Sequence, residues 1–132
     1  MSNKAMIVEP LTLFFDGGAR PNPGVIETAV VVRGVAHFRD ACGSGSNDEA
    51  EWSALLHAVE IARSLGASDI ILRGDSTLVI NQARGIIKCR SATLQPYLDA
   101  FTAQATHFTR LRLHHIKRSK NLAGIALDQR RR

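Results

Sequence analysis

No run of apolar residues in this sequence is long enough to span a bilayer, so a transmembrane helix is excluded. The N-terminus carries Lys4 but lacks the long apolar segment of a secretory signal, so no signal peptide is expected. Cysteine is sparse: the two, Cys42 and Cys89, show no metal-ligand spacing. That leaves a reduced, cytoplasmic protein as the main reading and a single disulfide as the other. Acids are outnumbered, 12 against 17 lysines and arginines, for a net charge of +5. A basic surplus suits a polyanionic partner, although many basic proteins bind none. Internal repeats and low-complexity linkers are also missing, and 132 residues fit one domain.

What is present organises around Leu11 to Gly24, LTLFFDGGARPNPG. Leu11, Leu13 and Phe15 alternate with Thr12, Phe14 and Asp16, the period of a strand covered on both faces. The run stops at Asp16, and Gly17, Gly18, Pro21, Asn22, Pro23 and Gly24 follow as turn formers. Asp16-Gly17 reads equally as a turn pair or as a carboxylate placed at a site.

Residues 1–9 read as a loose leader. Thr28–Arg33, with an optional start at Val25, and Val35–Cys42 continue as strands, and Gly43–Asn47 reads as a loop. Leu55, Ala58, Val59, Ala62 and Leu65 mark a helix over Asp48–Leu65, opened by a Ser46/Glu49 capping box. Asp69–Arg73 is a short buried strand ending at Gly74-Asp75. Helices over Ser76–Arg84 and Ala92–Ala105, a strand over Thr109–His115 and a helix over Leu122–Gln129 complete the chain. Arg130 to Arg132 form a basic tail, read as solvated, with phosphate contacts as the other reading. Three consecutive strands followed by alternating helices predict an α/β mixed sheet. A right-handed crossover through the long helix makes the fourth strand parallel to the first, setting Asp16 beside Asp75 if the two are neighbours.

Glu51 precedes Leu55 and Ala58 by four and seven residues, so it extends the core-facing stripe. A carboxylate there is costly unless it is paired or holds a metal. Asp75 alone reads also as a helix cap. Converging, Asp16, Glu51 and Asp75 would repel one another unless divalent cations compensate. Oxygen ligands suit magnesium or manganese, and two such ions can assist phosphodiester hydrolysis.

These residues resemble the ribonuclease H family, type I. The blocks that carry the resemblance run in order. They are Asp16-Gly17-Gly18 with Pro21-Asn22-Pro23-Gly24, then Ser46-Asn47-Asp48-Glu49-Ala50-Glu51-Trp52, then Gly74-Asp75-Ser76, then His115-Ile116-Lys117-Arg118-Ser119-Lys120-Asn121. The resemblance implies a ribonuclease H-like fold with a five-stranded mixed sheet, order 3-2-1-4-5, flanked by helices. It implies a monomeric endonuclease cutting the RNA strand of RNA–DNA hybrids, with two Mg2+ or Mn2+ ions when substrate is bound. Asp16, Glu51 and Asp75 would be catalytic metal ligands. Gly17 and Gly18 would admit the RNA strand and its 2′-hydroxyls. Asn22 and Ser46 would meet DNA phosphate, Asn47 a minor-groove base edge, and Arg118 a phosphate or leaving product.

Three departures from the family pattern stand out. The usual fourth acid is missing: Ile125 holds its place, or Gly124 with a one-residue deletion, and Asp128 is the substitute a shifted helix would bring in. Lys117 replaces a proline beside Arg118. No separate hybrid-binding domain or long basic protrusion is found, and Lys88 and Arg90 are a modest replacement. Two other readings therefore stand: a catalytically weakened hybrid-binding module, and a related metal nuclease with another substrate.

Overall fold

The structure, a computed structural model, describes residues 9–131. The leader thus lies outside the described residues except for Glu9, which is exposed, and so does Arg132. The elements are β1 (Leu11–Arg20), β2 (Gly24–Val32), β3 (Val35–Arg39), β4 (Ser44–Gly45), α1 (Asn47–Ser64), β5 (Asp69–Gly74), α2 (Thr77–Ala83), α3 (Gln95–Ala105), β6 (Arg110–His115), a 3-10 turn (Arg118–Lys120) and α4 (Leu122–Arg130). The sheet order is β3-β2-β1-β5-β6, with β4 paired to β2. This is the expected order once the two-residue β4 enters the numbering. β1 and β5 are parallel, with Leu13 opposite Leu72, as are β5 and β6.

Both faces of the sheet are covered. On one, α1 buries Leu55, Ala58, Val59 and Ala62 completely against Leu13, Phe15, Val30, Ile70 and Leu72. Trp52, also fully buried, meets Phe101 of α3 edge-on at 6.1 Å and donates its indole N–H to Gln82 at 3.0 Å. On the other face α4 lays Ala123 and Leu127 over Ala29 and Val31. Area removed from water is the main source of stability on both faces. The Ser46/Glu49 capping box forms as expected and fixes the start of α1.

Several boundaries differ from the sequence reading. β1 does not turn after Asp16. Gly17 and Gly18 stay paired with Thr28 and Glu27 of β2, and the turn falls at Pro21-Asn22-Pro23. What ends near Asp16 is the parallel pairing with β5, whose last register pair is Phe14 with Arg73. β3 stops at Arg39 rather than Cys42, because Ala41 takes a positive φ of 55° that breaks the strand. Pairing with β2 then resumes as β4, inside the stretch read as loop. Leu65 is not in the apolar stripe: it caps α1 and is 49% exposed. α3 begins at Gln95, not Ala92, since the Ser91 hydroxyl accepts the Leu94 N–H and holds a turn before it. Of the basic tail, the two described residues are both paired with acids. Arg130 pairs with Asp40 and lies 4.4 Å from the Phe38 ring centroid, and Arg131 pairs with Glu27 at 2.8 Å. Among the described residues no helix is long and apolar enough to cross a membrane, and Cys42 and Cys89 are both free.

Candidate active site

Three elements each deliver one acid to the same place. Asp16 comes from β1 just past its parallel pairing, Glu51 from the first turns of α1, and Asp75 from the residue after β5. One carboxylate oxygen of each lies within 4.8 Å of the others. The Asp16 side chain is 3% exposed and that of Asp75 14%. Glu51 accepts the Gly17 N–H at 3.2 Å, which ties the helix acid to the strand that carries Asp16.

A cation already stands among them. Arg118, from the 3-10 turn, donates Nη1 to Asp16 Oδ1 at 2.7 Å and to Asp75 Oδ2 at 3.2 Å. Its Nη2 reaches the two Asp128 oxygens at 3.2 and 3.3 Å. Asp128 is half-exposed and touches this cluster through Arg118. Ile125 is 39% exposed.

The electrostatics follow from this crowding. Burial pushes Asp16 up from 3.8 to about 6, against the pull of Arg118 and with the push of Asp75 and Asp128. Burial, then the charges of Asp16 and Asp75, hold Glu51 well above 4.5, opposed by the Gly17 N–H and Arg118. Burial disfavours the Arg118 charge, but Asp16 and Asp75 outweigh it and raise its pKa.

Asn121 is a site residue that the sequence reading placed only within a motif. Fully buried, it donates to Asp75 Oδ2 at 2.8 Å and to the Phe15 carbonyl at 3.0 Å, and its Oδ1 caps α4 by accepting Ala123 N–H. The signal for it was an asparagine immediately before an apolar-periodic helix.

The remaining expected residues gather at the β1–β2 turn and the start of α1. Asn22 Oδ1 accepts the Asn47 N–H at 3.0 Å, Asn47 Oδ1 accepts the Ala19 N–H at 2.9 Å, and Ser46 is the α1 cap. Both glycines have internal neighbours. A Cβ on Gly17 would stand 2.0 Å from the Ala50 carbonyl oxygen, and one on Gly18 would stand 2.8 Å from Arg131 Nη2. Gly17→Ala therefore has to push α1 off β1. It is expected to cost roughly 1–3 kcal/mol of stability, read as a lower urea midpoint. An unchanged midpoint would show that helix and strand are not locked there.

Next to the α1 cap lies a cleft of about 570 Å3 lined by Ser46, Asp48, Glu49, Lys88, Arg90 and Ser91. Of the histidines, His57 is buried, hydrogen-bonded to Thr28 at 2.9 Å and pushed down to about 4 by burial, a packing residue. His115 Nε2 lies 3.2 Å from the Thr77 hydroxyl and 3.3 Å from the Asp75 backbone oxygen, so it contacts the main chain beside the cluster.

Residues 15–130 match the family described as reverse transcriptase-like. The chain is 36% identical over 125 residues to ribonuclease HI of Halobacterium salinarum, covering 87% of this chain and 63% of that one. It is 32% identical to the Bifunctional protein Rv2228c of Mycobacterium tuberculosis, covering 86% of this chain and 34% of that one. The chain thus spans less than two thirds of the length of these relatives. The crystal structure of RNase H1 from H. salinarum superposes with a TM-score of 0.84 at 30% identity, over 90% of this chain and 94% of that one. LC11-RNase H1, solved in complex with an RNA/DNA hybrid, gives 0.78 at 28% identity, over 89% and 92%. On this extent of match the chain belongs to the reverse transcriptase-like family and is ribonuclease HI-like within it.

Proposed function

We propose that the chain is an endoribonuclease that hydrolyses the RNA strand of RNA–DNA hybrids with magnesium or manganese, acting as a cytoplasmic monomer. The observation that carries this is the convergence of Asp16, Glu51 and Asp75 within 4.8 Å. The donor set fits a hard divalent cation: all oxygen, crowded, largely buried, and already drawing in the guanidinium of Arg118 as a counter-ion. Asp16, Glu51 and Asp75 would hold the ions, two of them with substrate bound, and the ions would supply an activated water and charge stabilisation at phosphorus.

The chain's own groups prepare that chemistry. The Gly17 N–H aims Glu51, and Asn121 aims Asp75 while anchoring α4. Arg118, always charged, meets phosphate or a leaving product rather than acting as a base. Asn22, Ser46 and Asn47 form one patch, assigned to the DNA strand, and Gly17 and Gly18 lie on the strand assigned to the RNA. Among the residues lining the cleft, which include the acids Asp48 and Glu49, Lys88 and Arg90 are the groups that suit a backbone phosphate.

The test is cleavage of a labelled RNA–DNA hybrid with Mg2+, Mn2+ or chelator, beside duplex RNA and duplex DNA. Metal-dependent cutting of the hybrid's RNA strand is expected. Hybrid binding without cleavage would instead support the binding-module reading, which the lack of an acid at both Gly124 and Ile125 favours. Cleavage confined to another substrate would support the third. Grip on the hybrid should depend on salt through Lys88 and Arg90. Lys88→Ala or Arg90→Ala is expected to flatten the slope of log affinity against log salt by about one each. Slopes identical to the native chain's would remove the cleft from the interface.

A further inference from the structure

We infer that Asp128 is a positioning residue that holds Arg118, and that Arg118 is the cation which divalent ions displace from Asp16 and Asp75. This rests on the metal-site reading above and specifies how that site is filled. The guanidinium divides its nitrogens between two duties. Nη1 serves Asp16 and Asp75 at 2.7 and 3.2 Å, and Nη2 serves Asp128 at 3.2 and 3.3 Å. A planar fork can release one side and keep the other.

Gly124 lies under this guanidinium. A Cβ on Gly124 would stand 2.8 Å from Arg118 Nη1 and 2.9 Å from its Cζ, so the guanidinium lies directly on the helix surface at this glycine on its way to the carboxylates. Asp128 follows Gly124 by four residues, on the same face of the helix, and meets the guanidinium one turn on. Ile125, the other candidate for the acid's place, is exposed. The helix thus presents to Arg118 a glycine beneath the guanidinium and, one turn on, the carboxylate that anchors it.

Arg118 and a divalent ion compete for the same oxygens of Asp16 and Asp75, and their like charges repel. An ion entering the cluster takes those oxygens from Nη1 and leaves Nη2 on Asp128. Metal affinity then includes the free energy of releasing Arg118, and by reciprocity metal loosens Arg118. Without its anchor, Arg118 has only the cluster to pair with and competes harder.

The test is Mn2+ binding to the folded, substrate-free protein by titration calorimetry, in a two-by-two comparison. Arg118→Ala is expected to bind Mn2+ about tenfold tighter than the native chain. Asp128→Asn is expected to bind severalfold weaker, and Asp128→Asn added to Arg118→Ala to change affinity by less than about twofold. Circular dichroism confirms folding of each variant, and Arg118→Met, similar in length and uncharged, replaces the alanine variant if that one does not fold. Equal or weaker binding in the Arg118 variant overturns the competition. An Asp128→Asn loss of the same size with and without Arg118 makes Asp128 a ligand and overturns its positioning role. Native protein that binds no Mn2+ overturns the metal site and this inference together. Binding that vanishes in Asp16→Asn but gains nothing in the Arg118 variant overturns the inference alone.

Discussion

Asp16→Asn will reduce RNA-strand cleavage by on the order of a hundredfold or more and leave the fold intact. The substitution keeps the shape of a side chain that is 3% exposed, and its amide oxygen can still accept from Arg118 Nη1. What it removes is the charge of one of three converging oxygens. Charge stabilisation by a bound ion is worth several kcal/mol of the barrier, and each 1.36 kcal/mol is a factor of about ten. Taking an unfavourable buried charge out of the metal-free cluster will also hold or raise the melting temperature. Initial rates on a labelled hybrid in Mg2+ and Mn2+, alongside a thermal melt, measure both. A variant with more than about a tenth of native activity and the same metal requirement would remove Asp16 from the metal site.

Relative to Glu51→Gln, the metal-free native protein will lose stability as pH rises from about 4 toward neutrality; His57, held down at about 4, gains stability over the same range in both proteins and cancels in the comparison. The sign comes from proton binding. Asp16 titrates near 3.8 when unfolded and at about 6 when folded. Between those values the folded state holds a proton that the unfolded state has released, so stability falls with rising pH. At 1.36 kcal/mol per unit, Asp16 alone removes on the order of 3 kcal/mol across that window. Glu51, held well above 4.5 by burial and by the charges of Asp16 and Asp75, acts in the same direction. Glutamine at 51 titrates nowhere, so that contribution is absent from the variant. Saturating divalent metal will oppose the trend, because it binds the deprotonated acids. Urea midpoints from pH 4 to 8 in chelator, native against Glu51→Gln, give the comparison. Parallel curves for the two proteins would mean that Glu51 is ionised throughout and free of the cluster.

The parts of this architecture that repeat locally were legible in the residues. Alternation in Leu11 to Phe15 and the Leu55–Ala62 stripe set β1 and α1, and a helical crossover between parallel strands set Asp16 beside Asp75. Glu51 was readable because a charged residue interrupts a pattern that otherwise describes burial. Gly17 and Gly18 misled, since glycine marks both turns and close packing; here α1 and Arg131 press against a strand that continues to Arg20. Arg118 meeting Asp16, and Arg131 meeting Glu27, are pairings between residues more than a hundred positions apart. No local pattern announces such a pairing. Asp128 was visible only as an acid one turn from where one was wanted, and its partner had to be seen in space.

Trp52 gives the chain an optical property. It is the sole tryptophan, it directly follows Glu51 on α1, and its indole is sealed against Phe101 with its N–H on Gln82. Ultraviolet-excited emission at the red edge of absorption therefore comes from one fluorophore in one dry environment, next in the chain to a carboxylate of the cluster. Intensity and wavelength report the docking of α1 on the sheet, without a label and without a second emitter to subtract.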